Sequence, residues 1–167
     1  MEKVTMDLER LGSMIKDIRI AMLSTVDETG AIYSRPMANQ EIKPKEFDGV
    51  LYFFTKNNSP KVHAIEHDQH VNLAYSEPKK QEYVSVSGKA FISEDKALME
   101  KLWNPIMKAW FPEGLEDPEI CLIGVNIESA ELWDAPSSKV VQMVGLAKAL
   151  LTGKPLDHDL SSEKINL

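Results

Sequence analysis

The chain has 167 residues, a length that allows one domain with its own core and is short for two. Its formal net charge of -7 and sequence pI near 5.1 disfavour a broad nucleic-acid surface, because neutralising phosphates needs clustered Lys and Arg. The sequence contains neither the roughly 20 apolar residues of a membrane helix nor a signal-peptide segment at its start. We therefore expect a cytoplasmic protein with no membrane or nucleic-acid partner.

The first part of the chain predicts a helix, a hairpin, a third strand and a second helix. Apolar residues recur at three- and four-residue steps near the start, which predicts an amphipathic helix over residues 5–17. Two β-rich runs then flank the turn residues Asp27 to Gly30 and predict a hairpin. The aromatic run VLYFFTK predicts a third strand, and a short helix over residues 60–67 follows it.

The second part of the chain predicts four more strands and further helices. VNLAYS and the alternating EYVSVSGKAFIS predict strands, the latter with one buried face. Residues 95–110 return to helical spacing, with Pro105 separating two short helices. ICLIGVNI and AELWD predict two further strands, and SSKVVQMVGLAKALL predicts a last helix with a serine cap. Residues 152–167 are polar and aperiodic, which predicts a loose tail.

These elements predict a mainly β fold with peripheral helices. The strands do not alternate regularly with helices, so a doubly wound parallel sheet is disfavoured and an antiparallel barrel fits better. We predict a single domain over residues 1–151, including the first and last helices, with residues 152–167 outside it. The single cysteine, Cys121, lies in an apolar run, which predicts a buried and inert thiol.

The helix predicted over residues 60–67 carries a candidate zinc motif. His63, Glu66 and His67 match the pattern His-x-x-Glu-His, in which two histidines share a helix face and the glutamate serves as a base. At about 100° per residue, however, both histidines point away from the apolar side formed by Val62 and Ile65. Solvent-exposed histidines are therefore the favoured interpretation, and a zinc hydrolase stays a remote alternative.

The amino-terminal end of the same helix is a candidate anion site. Ser59 suits the N-cap and Pro60 suits the first helical position, so free amides of the first turn would face outward at the positive end of the helix dipole. Lys61 adds a positive charge in that turn. Arg35 lies inside a predicted strand on the same face as Tyr33 and Met37, where it could hold two phosphate oxygens at once, and a solvated strand arginine is the alternative.

The order of these segments resembles the flavin-binding split-barrel superfamily typified by pyridoxamine 5'-phosphate oxidase, and within it the bacterial general stress protein branch. MLSTVDETGAIYSRPM, LYFFTKNNSPK and AELWDAP carry the resemblance, which spans roughly residues 5–150. It implies an antiparallel split β-barrel of the FMN-binding type. It also implies a homodimer that holds FMN between its subunits, with FAD or a deazaflavin as alternative ligands.

The resemblance implies a set of cofactor-binding residues, namely Arg35, Met37, Ala38, Phe54, Thr55, Ser59, Lys61 and Trp133. Arg35, Ser59 and Lys61 would hold the phosphate, and Thr55 would assist them from the end of the strand that also carries Phe54. No metal is implied.

The remaining residues of this set concern the isoalloxazine ring. The backbone around Met37 and Ala38 would run beside the ring, and Trp133, from either subunit, would cover part of it. From the residues alone, Trp133 is equally an aromatic residue of the core or of an interface. Trp110 could instead line the substrate side.

Two departures from the oxidase pattern bear on activity. Gln40 stands where the oxidase has a Lys five residues after its strand Arg, and the carboxyl-terminal end has no Arg-x-His-like substrate segment. Vitamin B6 oxidase activity is therefore not implied. We expect a flavin-dependent oxidoreductase, in the stress-protein context, that acts on an unidentified small molecule and leaves the redox chemistry to its cofactor. The alternative is a flavin-binding or flavin-buffering protein without turnover.

Overall fold

The structure is a computed structural model that describes residues 2–134 and 161–167. Its helices and strands are α1 (Glu2–Ile15), β1 (Ile20–Val26), β2 (Ile32–Ala38), β3 (Val50–Lys56), α2 (Pro60–His67), β4 (His70–Glu77), β5 (Glu82–Ser93), α3 (Lys96–Leu102), β6 (Ile120–Asp134) and β7 (Ser161–Asn166). Short 3-10 helices lie at Pro44–Glu46, Pro105–Ala109 and Gly114–Glu116. The predicted first helix, hairpin, third strand and second helix are confirmed. Within the described residues, none of the helices combines the length and the apolar character that crossing a membrane requires.

All strand pairs are antiparallel, and the strands follow the order β2-β1-β4-β5-β6-β3, with β7 also paired to β6. β2 and β3 are the two ends of this path. They approach each other without forming a hydrogen-bonded ladder, so the curled sheet stays open between them. This opening, which we call the split, makes the fold the predicted split barrel.

The main core lies on the concave face of the sheet and is closed by α1. Alternate side chains of β5 contribute to it, and Val84, Val86 and Ala90 are almost fully buried, as the alternating sequence predicts. Leu11 and Ile15 of α1 pack against them with no exposed surface. Leu23 of β1 and Met37 of β2 belong to the same core, so the two strands that carry part of the candidate site are attached to it.

A second hydrophobic cluster covers the other face of β3. Phe54 packs edge-on against Trp103, with ring centroids 5.4 Å apart, and contacts Phe111 at 6.4 Å. Met107 and Leu122 complete the cluster. The helices after residue 95 therefore fold onto β3 and support the strand that leads into α2.

The prediction of two separate strands in ICLIGVNI and AELWD is wrong, because β6 runs without a break through both. Gly88 of β5 pairs with Ile127, whereas the residue before it pairs with Ser129, so Glu128 is an extra residue in a β-bulge. The bulge changes which side chains of β6 face the core. In the sequence, this break in the apolar–polar alternation resembles a turn. A Cβ at Gly88 would lie 2.1 Å from a backbone carbonyl oxygen of β6, so only glycine fits there.

The prediction of a loose tail is wrong for residues 161–166, which form β7 along the part of β6 that β3 does not reach. Ile165 of β7 is 2% exposed and belongs to the main core. Arg10 of α1 contacts Glu163 through a hydrogen-bonded ion pair and lies 3.9 Å from Asp134. The helix predicted in SSKVVQMVGLAKALL lies outside the described residues, and the domain boundary at residue 151 stays a prediction.

Candidate functional site

The candidate anion site lies at the split, where Arg35 of β2 faces the start of α2. Arg35 is half-buried, and its Nη1 donates hydrogen bonds to the Thr25 hydroxyl at 2.8 Å and to the Leu23 carbonyl at 3.2 Å. Both acceptors belong to β1, and Thr25 is only 1% exposed. Burial lowers the pKa of Arg35 from its ordinary value. The two hydrogen bonds therefore hold the guanidinium in one orientation, in which it could balance the charge of an anion.

Lys61 is the second cation of this site. Burial is the main cause that lowers the pKa of Lys61, and the positive charge of Arg35 lowers it further. The two side chains are thus close enough to repel each other. Within the part of the chain that the structure describes, neither of them forms an ion pair with a carboxylate. A bound anion would relieve both the repulsion and the desolvation.

The start of α2 supplies polar groups beside these cations. Ser59 occupies the predicted N-cap, but its hydroxyl makes no capping hydrogen bond and lies 3.5 Å from the hydroxyl of buried Thr55. The prediction of several free amides is wrong, because the Ser59 carbonyl accepts hydrogen bonds from Val62 at 3.0 Å and His63 at 3.3 Å. The amide of Lys61, which Pro60 precedes, has no backbone acceptor among the described residues.

The turn between β3 and α2 is anchored to the start of β6. Lys56 contacts Asp117 at 3.2 Å and Glu119 at 3.3 Å, and the side-chain amide of Asn58 donates to Glu119 at 2.6 Å. The hydrogen bond to Asp117 is the main cause that raises the pKa of Lys56. The Glu119 carbonyl also accepts a hydrogen bond from the backbone of Asn57 at 2.8 Å. These contacts fix the direction in which α2 begins.

A cavity of about 440 Å³ lies between α2 and the β1–β2 hairpin. It is lined by Thr25, Asp27, Tyr33, Ser34, Arg35, Pro60 and Ala64. Thr25 was not among the predicted site residues, although its position in the sequence carries a signal. Ala21, Leu23 and Thr25 alternate along β1 on the buried face, and a hydroxyl in that row needs a polar partner. Arg35 is that partner.

The structure does not place the side chains of Met37 and Phe54 in this cavity. Met37 is 6% exposed and belongs to the main core, whereas Phe54 belongs to the second cluster. Only their backbones can border a ligand. Around Met37 and Ala38 this is feasible, because β2 is an end strand whose outer backbone groups are not used by the ladder with β1.

Trp133 does not line this cavity. It pairs with Tyr83 of β5 near the end of β6, whereas Thr55 pairs with Cys121 at the start of β6. The distance along an extended strand from Cys121 to Trp133 is roughly 40 Å. Trp133 therefore lies at the opposite end of β6 from the residue that pairs with Thr55, and its contact with a flavin ring stays a prediction.

The remaining candidates lie outside the cavity. His63, Glu66 and His67 are exposed, as their helical positions predict, and no group of three or more metal-ligating side chains occurs in residues 2–134 and 161–167. Trp110 is 60% exposed on the surface. Cys121 is fully buried, as predicted, and burial is the main cause that raises its pKa to about 11, which disfavours the reactive thiolate.

The family model described as pyridoxamine 5'-phosphate oxidase like matches residues 6–157. The chain belongs to this family. Protein bli-3 of Neurospora crassa is 32% identical to this chain over 155 residues, which cover 87% of this chain and 73% of bli-3.

Two solved structures of general stress proteins are similar to this chain. General stress protein 26 of Bacillus anthracis is 31% identical, with a TM-score of 0.62 over 74% of this chain and 93% of the other. The general stress FMN/FAD binding protein of Xanthomonas citri is 27% identical, with a TM-score of 0.67 over 83% of this chain and 93% of the other. The predicted resemblance to the general stress protein branch of the family is therefore confirmed.

Proposed function

We propose that this protein binds FMN at the split, with the phosphate held by Arg35 and Lys61. The observation that carries the proposal is the pair of partly buried cations that lack a carboxylate partner in the described residues. An anion with two or more negative oxygens matches them, and a phosphate monoester carries a charge of about -1.5 to -2 at neutral pH. The Xanthomonas citri relative is known as an FMN/FAD binding protein, which supports the choice of a flavin.

The neighbouring polar groups fit the same phosphate. The Ser59 hydroxyl is not used for capping, and the Lys61 amide faces the same end of α2. Thr55 would support Ser59 through the hydroxyl contact between them. The isoalloxazine ring would then lie along the open edge of β2, beside the backbone of Met37 and Ala38.

We further propose that two copies of this chain form the complete site. The outward residues of β1, β2 and β4 include no Lys, Arg, Asp or Glu, although 27% of the chain is charged. They include Ile20, Met22 and Ile32, which are 48%, 40% and 72% exposed. A second copy packed on this face would bury them. It would also offer its own Trp133 to the ring.

The flavin, when bound, would supply the transfer of a hydride or of electrons, and the chain would orient it. We propose an oxidoreductase in the cytoplasm that acts on a small molecule. A flavin-binding or flavin-buffering protein, which would store the flavin without turnover, is the second candidate function. It is favoured because the Cys121 thiol is fully buried and Oδ1 of Asp27 accepts hydrogen bonds from its own turn, so neither atom is placed to react with a substrate. Rapid oxidation of the bound reduced flavin by a physiological acceptor would exclude storage alone.

The test is to incubate the purified protein with FMN, desalt it, and record its absorbance and its mass in solution. We expect flavin absorbance that stays with a particle of two chains. Riboflavin, which lacks the phosphate, should be retained far less. Protein that stays colourless after incubation would refute the proposed function.

A further inference from the structure

The side chain of Lys61 lies among groups that disfavour its positive charge. Lys61 is half-buried, and this burial is the main cause that lowers its pKa. The guanidinium of Arg35 lowers the pKa further, whereas Cys121 acts in the opposite direction and is the weakest of the three causes. No carboxylate of the described residues forms an ion pair with Lys61. The amine of Lys61 is therefore neutral more often than the amine of an ordinary exposed lysine.

A neutral lysine amine is a nucleophile, whereas the protonated amine is not. Lysines that form imines with carbonyl compounds are activated by burial or by a neighbouring cation. Both causes act on Lys61, through its own burial and through Arg35. Lys56, on the other side of the same turn, contacts the carboxylates of Asp117 and Glu119, which favour its protonated form. Lys61 is therefore the lysine of this turn that is suited to attack an aldehyde.

The groups beside Lys61 favour an aldehyde that carries a phosphate. The guanidinium of Arg35 donates hydrogen bonds to β1 at 2.8 Å and 3.2 Å, and it keeps its charge when Lys61 is neutral. The Ser59 hydroxyl makes no capping hydrogen bond, and the amide of Lys61 has no backbone acceptor among the described residues. Arg35 and Pro60 line the cavity of about 440 Å³, which leaves room for a small ligand. A phosphate held at Arg35 would bring the aldehyde of the same small molecule close to the Lys61 amine.

We infer that Lys61 forms an imine with small aldehydes that carry a phosphate, and that this adduct competes with FMN. The nitrogen of Lys61 bonds to the carbonyl carbon, and the two hydrogens of the neutral amine leave with the carbonyl oxygen as water. The step therefore needs neither an oxidant nor a reductant. The competition rests on the proposed function, because it requires FMN at the same two cations, whereas the imine itself does not. A phosphorylated aldehyde that accumulates would displace the flavin.

The experiment treats the purified protein with glyceraldehyde 3-phosphate, reduces any imine with borohydride, and locates the adduct by peptide mass spectrometry. Glyceraldehyde, which lacks the phosphate, is the matched reagent. We expect on the order of tenfold more adduct at Lys61 with the phosphate than without it, the scale of one charge-assisted hydrogen bond. Exposed Lys79 should react equally with both reagents. Prior saturation with FMN should protect Lys61 and leave the adduct at Lys79 unchanged.

Lys61→Arg separates the imine from unspecific damage to the protein. An arginine keeps a cation in this position, and it does not form the imine that borohydride reduces. After the treatment, the unmodified protein should have lost FMN binding. The variant should bind FMN as well after the treatment as before it. Loss of FMN binding in both proteins would contradict an adduct at Lys61 as the cause.

The outcomes distinguish this inference from the proposed function. Adduct at Lys61 that does not exceed adduct at Lys79, or that is the same for both reagents, would overturn the inference and leave the proposed function intact. Selective adduct at Lys61 that FMN does not prevent would overturn the competition and the proposed position of the FMN phosphate. In that case the imine at Lys61 would stand by itself.

Discussion

Lys56 and Lys61 lie on either side of the turn between β3 and α2, yet their surroundings are opposite. Lys56 contacts the carboxylates of Asp117 and Glu119, and its pKa is raised. Lys61 is half-buried beside the guanidinium of Arg35, and its pKa is lowered. One lysine therefore has its charge balanced within the protein, whereas the other keeps a charge that a ligand can balance.

The comparison shows that residue type alone does not identify a phosphate-binding lysine. Both lysines flank the same turn, and either would be near the start of α2 in the sequence. The difference arises from what the rest of the chain places beside each of them. Carboxylates stabilise the positive form of Lys56, while burial and a second cation destabilise that of Lys61. We therefore expect Lys61 to bind the phosphate and Lys56 to anchor the turn between β3 and α2.

The largest expected effect is the loss of FMN affinity in Lys61→Ala and in Arg35→Ala. Each change removes charge-assisted hydrogen bonds to the phosphate, which are worth about 1.5–3 kcal/mol and correspond to roughly 10- to 150-fold in the dissociation constant. The affinity for riboflavin should change far less. Calorimetric titration with both ligands measures the two effects.

Lys79→Ala is the matched control for these variants, because Lys79 is an exposed lysine in the turn after β4. It should leave the affinities for FMN and riboflavin unchanged. If Lys61→Ala weakened both ligands to the same extent, Lys61 would not contact the phosphate, and the distinction between the two lysines would lose its functional meaning.

A smaller effect is expected in the pH dependence of FMN binding. Affinity should rise with pH through about 6, where the phosphate loses its second proton. It should fall again as pH rises through the pKa of Lys61 in the free protein, which lies below the ordinary 10.5. The sign follows because the phosphate favours the protonated lysine, so deprotonation of Lys61 opposes binding.

Lys61→Arg separates this effect from a general loss of structure in alkali. An arginine stays protonated throughout the range, so the fall in affinity at high pH should be absent from the variant. The measurement is the dissociation constant of FMN at a series of pH values for both proteins. Identical falls in the two proteins would contradict the assignment to Lys61.

The smallest effect on binding is expected for Lys56→Ala. The change leaves Asp117, which is 6% exposed, without its cation, so the unfolding temperature should decrease. The affinity for FMN should stay within about fivefold of the original, the scale of a single partly exposed ion pair. Lys89→Ala, which breaks the exposed pair with Glu128, is the control and should change the unfolding temperature less. If Lys56→Ala lost more FMN affinity than Lys61→Ala, Lys56 and not Lys61 would be the phosphate-binding lysine.

Local sequence determined the elements that lead into the site. The hairpin around Asp27 to Gly30, the aromatic strand β3 and the helix that starts after Ser59 each follow from neighbouring residues. Their signals are turn residues, β-branched and aromatic side chains, and a serine followed by proline. Such signals act within a few residues of each other, so they are visible in the chain without knowledge of its folding.

The two errors in the fold concern β6 and the strand β7 that pairs with it. β6 continues through a bulge because β5 pairs along its whole length, and residues 161–166 form β7 because β6 has an unpaired edge there. Both results depend on strands that are distant in the sequence. A bulge resembles a turn, and a polar edge strand resembles a tail, until the neighbouring strand is known.

The sequence by itself determined the antiparallel β class, the start of α2, and the candidate residues Arg35, Ser59 and Lys61. Only the tertiary structure decided that Thr25 orients Arg35, that Lys56 contacts carboxylates while Lys61 has none among the described residues, and that a cavity opens beside Tyr33. It also placed Trp133 at the opposite end of β6 from the residue that pairs with Thr55. The physical reason is that charge balance and burial depend on residues brought together across the fold, whereas helix and strand signals depend on neighbours in the chain.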